Sequence, residues 1–198
     1  MPKNTKPRRR YPPEILRPED IAALFEACGE GTWMATRNRA LLAVLHRSGL
    51  RIAEALALAP KDINVDAGSI RVLHAKGGRA RTVGIDPTGR RPLAAWLDLR
   101  ERLGIPPAAP VFVGPGGRPL TAAYCRRLLA GLGRRAGVLR RVHPHGLRHT
   151  HAAELREEGV DIGIISKQLG HRSIATTASY LDHIAPRAVV EIIGRRRG

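Results

Sequence analysis

The sequence predicts a mostly α-helical domain with a small antiparallel β-sheet. Apolar residues recur at three- and four-residue spacing over most of the chain, the signature of amphipathic helices. Two short stretches between residues 70 and 85 instead alternate in the strand manner around a glycine turn. At 198 residues the chain can hold one sizeable domain and bury a real core, and it shows neither an internal repeat nor a second domain.

Residues 1–16 are rich in proline and arginine and read as a basic arm without a fold of its own. The first helix falls in "RPEDIAALFEAC", where Pro18 suits the first helical position and Glu19 and Asp20 favour the helix N-terminus electrostatically. A second run, "TRNRALLAVLHRSG", stops at Gly49, and a third, "RIAEALAL", stops before Pro60. "SIRVLHA" and "ARTVGI" form a hairpin on either side of "KGGR", and "APVFVG" is a further short strand. Helices resume with "RPLAAWLDLRERLG", "TAAYCRRLLAGLGRRAG", "LRHTHAAELREEG", "DIGIISKQLG" and "SIATTASYLDH". A last short helix, "PRAVVEIIG", leads into a basic tail. The boundaries that follow are an arm at 1–16, one domain at 17–185, and a C-terminal helix and tail at 186–198.

Thirty-four Lys and Arg stand against 17 Asp and Glu, a net charge of +17. Such a surplus repels itself unless a polyanion is present, so nucleic acid is the leading partner, although ribosomal binding or a basic membrane-facing surface explains the charge alone equally well. Cys28 and Cys125 are too few for a disulfide framework or a metal knuckle and point to a reducing compartment. No apolar run approaches the ~20 residues of a membrane span. The basic N-terminus lacks the apolar segment of a secretory signal. A soluble intracellular protein is expected.

The stretch "HPHGLRHTHAAEL", His143 to Leu155, holds four of the eight histidines and an arginine among them. His145 and Arg148, three residues apart, share one face where a helix begins. "SGLRIAEAL" places Arg51 after a glycine turn with Glu54 one helical turn later, which taken alone is a surface salt bridge. "HAKGGRART" puts Lys76 at a hairpin tip or shoulder, taken alone a solvated turn. His171 follows a helix-stopping glycine in "LGHRS", and Tyr180, in "ATTASYLDH", taken alone is a core or boundary aromatic.

Taken together and in this order, "GLRIAE", "KGGRARTV", "HGLRHT", "QLGH" and "TTASYLDH" resemble the five motif blocks of the tyrosine recombinases, or phage-type integrases, from about Arg17 to about His183. The resemblance implies that family's mostly helical catalytic-domain fold over 17–185. It also implies a site-specific recombinase that cleaves and rejoins DNA through a covalent 3′-phosphotyrosine. By family match Arg51 and Arg148 hold the scissile phosphate, a task that suits guanidinium forks. Tyr180 is the nucleophile and His145 its candidate base. His171 hydrogen-bonds a phosphate oxygen in the transition state, and Lys76 protonates the departing 5′ oxygen. His149 fills the family's following histidine position in a supporting role. His143 and His151 receive none, and an apolar residue is more usual at the place of His151.

The resemblance implies no cofactor, no metal and no ATP. A zinc reading of the histidines stays open but is weakened, because "GLR" between His145 and His149 lacks the glutamate of H-E-x-x-H and an arginine repels a metal. The expected partner is double-stranded DNA, with a homo-oligomer (a tetramer) on DNA, a monomer in free solution, no membrane, and a cytoplasmic, DNA-associated location. Most family members carry a further N-terminal DNA-binding domain, where this chain has the short arm; a minimal recombinase and a fragment both fit. Two functions of different classes remain at this point. One is strand exchange through Tyr180, with a topoisomerase-like variant. The other is a DNA-binding protein that keeps the fold without cutting, against which the five intact positions argue.

Overall fold

The computed structural model describes residues 15–73, 80–171, 173–184 and 194. Lys76, the first fourteen residues, and the predicted helix "PRAVVEIIG" with its tail (Gly194 excepted) lie outside the described residues. Along the described chain run α1 (Pro18–Ala27), α2 (Trp33–Arg47), α3 (Ile52–Leu56), β1 (Ile63–Asn64), β2 (Ser69–Val72), β3 (Arg81–Gly84), α4 (Pro87–Arg102), α5 (Ala122–Arg135), α6 (Pro144–Glu157), α7 (Ile162–Leu169) and α8 (Ile174–Ile184). The mostly helical class with a small antiparallel sheet is therefore what the chain adopts.

Local chemistry sets the helix starts. Pro18 opens α1, and Asp20 reaches back to accept from the Arg17 N–H at 2.9 Å. Thr32 Oγ1 accepts from Ala35 N at 3.1 Å and starts α2 three residues before the predicted Thr36. Asp86 caps α4 through Gly89 N at 2.7 Å, so that helix begins at Pro87 and carries Pro92 in its second turn. The third helix ends at Leu56, and a 3-10 turn at Pro60–Asp62 leads into the sheet.

The sheet has the order β1-β2-β3, all antiparallel, with Ile70 opposite Val83 and Val72 opposite Arg81. The predicted hairpin is present as β2 and β3. The strand β1 was not foreseen, because two residues are too short to show alternation. Conversely, "APVFVG" makes no strand of the sheet: Val113 forms only an isolated bridge to Pro119. Its backbone is satisfied elsewhere, with Val111 N donating to Leu58 O at 2.8 Å and Trp96 Nε1 donating to Val111 O at 2.9 Å. Val111, Phe112 and Val113 are instead buried as one continuous apolar plug.

Two apolar clusters form. The main one joins Leu41, Leu42 and Leu45 of α2 to Leu93 and Trp96 of α4, Leu129 of α5, Ile70 and Val83 of the sheet, and Leu147 of α6. The smaller one joins Ala152 and Ala153 of α6 to Ile165 and Leu169 of α7 and Leu181 of α8, with Tyr180 packed on it. Helix α6 contributes to both, so its first half rests on the large core and its second half supports the C-terminal helices. Leu16, in the segment read as an arm, is buried, and its N–H donates to Thr150 Oγ1 at 3.0 Å.

Candidate active site

The site forms where the α2–α3 turn, the first half of α6, the end of α7 and α8 meet. Gly49 turns the chain at φ +62°, a conformation glycine adopts without the Cβ penalty. Arg51 then stands at the N-cap of α3, its side chain about one-third exposed. Glu54 is no surface partner: its side chain is only 2% exposed. Its carboxylate accepts from Arg51 N at 2.9 Å and Arg51 Nη1 at 3.0 Å, and takes two further bonds from Arg81 Nη1 at 3.0 Å and Nη2 at 2.9 Å. Burial alone would raise the Glu54 carboxyl. The hydrogen bonds and charges of Arg81 and Arg51 outweigh it and hold the group below the ordinary carboxylate value.

Helix α6 delivers the histidine block. His143 Nδ1 accepts from Gly146 N at 3.1 Å and so acts as the N-cap, a structural duty for a residue with no role by family match. Arg148 is 2% exposed. Its Nη1 donates to Gly49 O at 2.6 Å and its Nη2 to Leu169 O at 2.5 Å, fastening the α2–α3 turn to the end of α7. Burial, then the neighbouring Arg51 charge, lowers it to about 10, so it remains a cation at neutral pH.

Gly170 ends α7 in the left-handed region, at φ +65°, and turns His171 into the site. His171 Nε2 lies 3.4 Å from Arg148 Nη2, and its Nδ1 lies 2.9 Å from Thr177 Oγ1, a hydroxyl buried in α8. Arginine only donates, so Nε2 is the acceptor here and Nδ1–H faces Thr177. Burial, then the charges of Arg148, Arg51 and Arg81, depresses His171 to about 4 and keeps the ring neutral.

Tyr180 stands among these groups. Its ring stacks on His149 at 5.0 Å between centroids and meets His171 edge-on at 5.2 Å, while His145 packs edge-on against His149 at 4.1 Å. Its hydroxyl is buried without a hydrogen-bond partner of ordinary geometry. Burial pushes the phenol up to about 12 against the opposing charge of Arg148, so it is a protonated, weak nucleophile as it stands. His145 keeps solvent access at the rim. The protein around it still lowers its pKa, through desolvation first and then the charges of Arg148, His143 and Arg51.

Behind the site, His151 is 6% exposed and packs its ring against Gly49 so closely that a Cβ there would meet Cδ2 at 2.5 Å. Burial, then nearby His46, lowers His151 to about 4. His46 Nε2 lies 3.0 Å from a Glu154 carboxylate oxygen and ties α2 to α6. His151 is thus a neutral packing residue behind the Arg148 acceptor.

The structure brings Arg51, His145, Arg148, His171 and Tyr180 to one place; Lys76 is the expected member outside the described residues. Sequence reading missed Arg81 and Thr177. Among the described residues no group of three or more His, Cys, Asp or Glu is placed to hold a metal ion, and no helix is long and apolar enough to cross a membrane.

Comparison with known proteins bears on the family and the fold. The phage integrase family model matches residues 14–186. The tyrosine recombinase XerC of Rhodospirillum centenum is 39% identical over 182 residues, covering 90% of this chain and 53% of the relative, so the chain spans about half that protein's length. The crystal structure of XerA recombinase superposes with a TM-score of 0.82 at 31% identity, covering 96% of this chain and 68% of that one. XerH site-specific recombinase, in a post-cleavage complex with a palindromic difH substrate, gives a TM-score of 0.74 at 27% identity, covering 93% of this chain and 54% of that one. With five motif blocks in order, four elements converging on one site and a family model spanning nearly the whole described chain, the protein belongs to the phage integrase family.

Proposed function

We propose that this chain is the catalytic domain of a site-specific DNA recombinase, cleaving and rejoining double-stranded DNA through a covalent 3′-phosphotyrosine on Tyr180. The observation that carries the reading is the convergence of two arginines, a neutral histidine and a tyrosine hydroxyl from four separate elements. A fold retained for binding alone has no need of that arrangement.

Arg51 and Arg148 hold and neutralise the non-bridging oxygens of the scissile phosphate. Tyr180 Oη attacks phosphorus, its proton passing to His145, while the bond to the 5′ oxygen breaks. Lys76 protonates that departing oxygen. When a phosphate takes over the Arg148 contact, His171 loses its Nδ1 proton to water and gains one from water at Nε2, the Thr177 hydroxyl turns from acceptor to donor toward Nδ1, and Nε2–H faces a phosphate oxygen. The phosphotyrosine conserves the bond energy, so rejoining by a 5′ hydroxyl needs neither ATP nor metal. The arm and tail add phosphate contacts that strengthen binding without reading sequence. The chain acts as a tetramer on DNA in the cytoplasm.

The test is covalent trapping on a nicked duplex, whose cleaved fragment diffuses away. The wild-type chain should give a denaturation-resistant DNA adduct that maps to Tyr180, with EDTA present or absent. Tyr180→Phe should bind DNA and give no adduct. An adduct in that variant, or one that requires added metal, contradicts the reading.

A further inference from the structure

Three guanidinium groups, those of Arg51, Arg148 and Arg81, stand around the site, and the first two have an assigned task. Arg81 opens β3, and its side chain is 13% exposed. Its two Nη atoms take one oxygen each of Glu54, the paired geometry in which arginine binds a carboxylate most strongly. Its other edge lies against Gly170: a Cβ on that glycine would meet Arg81 Nε at 2.6 Å and Cζ at 2.7 Å. One side chain therefore touches both the residue that holds Arg51 and the turn that presents His171.

The charges explain why a third arginine is needed. Glu54 anchors Arg51 through its backbone N–H and one Nη, which orients the guanidinium but sets a full negative charge against it. Alone with Glu54, Arg51 would be neutralised as a phosphate binder. With Arg81 bound to both carboxylate oxygens, the charge of Glu54 is already met, and the four groups Arg51, Arg81, Arg148 and Glu54 sum to two positive charges rather than one. The phosphate accumulates negative charge as the tyrosine oxygen attacks, so this surplus acts where catalysis is most sensitive.

We propose that Arg81 is a positioning residue of the phosphate site, which takes up the Glu54 charge so that Arg51 can be both oriented by that carboxylate and free to neutralise the scissile phosphate. This rests on the recombinase reading above. The role is electrostatic, and it predicts a rescue that a purely structural role does not.

The experiment measures the single-turnover rate of covalent attachment to a nicked duplex at saturating protein, beside DNA affinity and thermal unfolding. Arg81→Met should slow attachment by about 10²-fold, the scale of losing one donor to a developing charge. Its affinity should stay within about threefold, since one contact region among many phosphate contacts is altered. Adding Glu54→Gln to Arg81→Met removes the uncompensated carboxylate and should recover most of that rate. A double variant as slow as Arg81→Met, or an Arg81→Met rate equal to wild type, overturns the proposal. Should Arg81→Met fail to fold, Arg81→Lys decides: it keeps the charge and should attach at close to the wild-type rate, whereas a folded Lys variant as slow as the Met expectation overturns it. A wild-type chain that forms no adduct at all defeats the recombinase reading itself, and this inference with it.

Discussion

The turn that carries Arg51 and the helix that carries Tyr180 rest on different foundations. Arg51 stands at the end of the short turn after α2, whose Leu41, Leu42 and Leu45 are fully buried in a core that spans α1 to α6 and the sheet. Tyr180 lies on α8, where the smaller cluster has five buried members among the described residues, two of them alanines. Burying a leucine stabilises by roughly 1.5–3 kcal/mol and an alanine by far less, so the C-terminal helices are held by much less apolar contact than the frame they face. On the recombinase reading proposed above, the comparison teaches a division of labour: the arginines would be held in place before DNA arrives, and the helix bearing Tyr180 would be the cheaper part to move. The buried, protonated Tyr180 hydroxyl fits that division, since on the same reading a rearrangement brings it to a phosphate.

Arg148 joins the two regions, and removing it should have the largest effect. Arg148→Ala removes one of the two cations proposed to hold the phosphate and strands the Gly49 and Leu169 carbonyls, at a cost of about 1–3 kcal/mol for each buried group left unsatisfied. Covalent attachment should vanish and the melting temperature should fall. A variant that melts like wild type would show that the two fastenings contribute nothing to stability.

The foundations themselves can be weakened one at a time. Leu181→Ala in the small cluster and Leu42→Ala in the large one each remove a buried leucine, a change that typically costs 2–5 kcal/mol. Leu181→Ala should cut attachment at saturating DNA while leaving affinity nearly intact. Leu42→Ala should lower stability, affinity and attachment together. Equal losses of affinity in both variants would mean that the two regions act as one unit.

A smaller effect should appear with acid at the seam between the regions. His151 is held neutral to about 4, against an ordinary histidine value of 6.5. The unfolded chain therefore gains this proton first as the pH falls, and stability declines with pH across that interval. Depressed His171 adds to the decline in the same direction. His151→Leu should flatten the fall in denaturant-derived stability between pH 6.5 and 4 while leaving stability at pH 8 near wild type. An unchanged slope would remove His151 from this account.

Much of this was legible in the sequence, and what was not has physical reasons. The helices announced themselves through periodicity, and the family through five short motif blocks in order, whose resemblance, not their spacing, suggested roles for the residues in them. Taken alone, the Arg51–Glu54 spacing reads as a surface pair, since an i,i+3 pair carries no sign of what lies on its far side. Arg81 was missed because its partner is 27 positions away. The available signal was an arginine two residues before buried Val83, hence on the inward face of a strand, where a cation needs a carboxylate. The plug at 111–113 alternates too little for a half-exposed strand, but a buried strand and a buried loop look alike until the hydrogen-bond partners are known.

The division of labour is tested most directly by native-state hydrogen exchange, followed helix by helix in the DNA-free chain. The account predicts that amides of α8 exchange through a local opening of clearly lower free energy than those of α2, with little dependence on denaturant. Binding of a nicked duplex should raise their protection more than that of α2. Exchange of α8 and α2 at the same free energy and with the same denaturant dependence, as one cooperative unit, would contradict it.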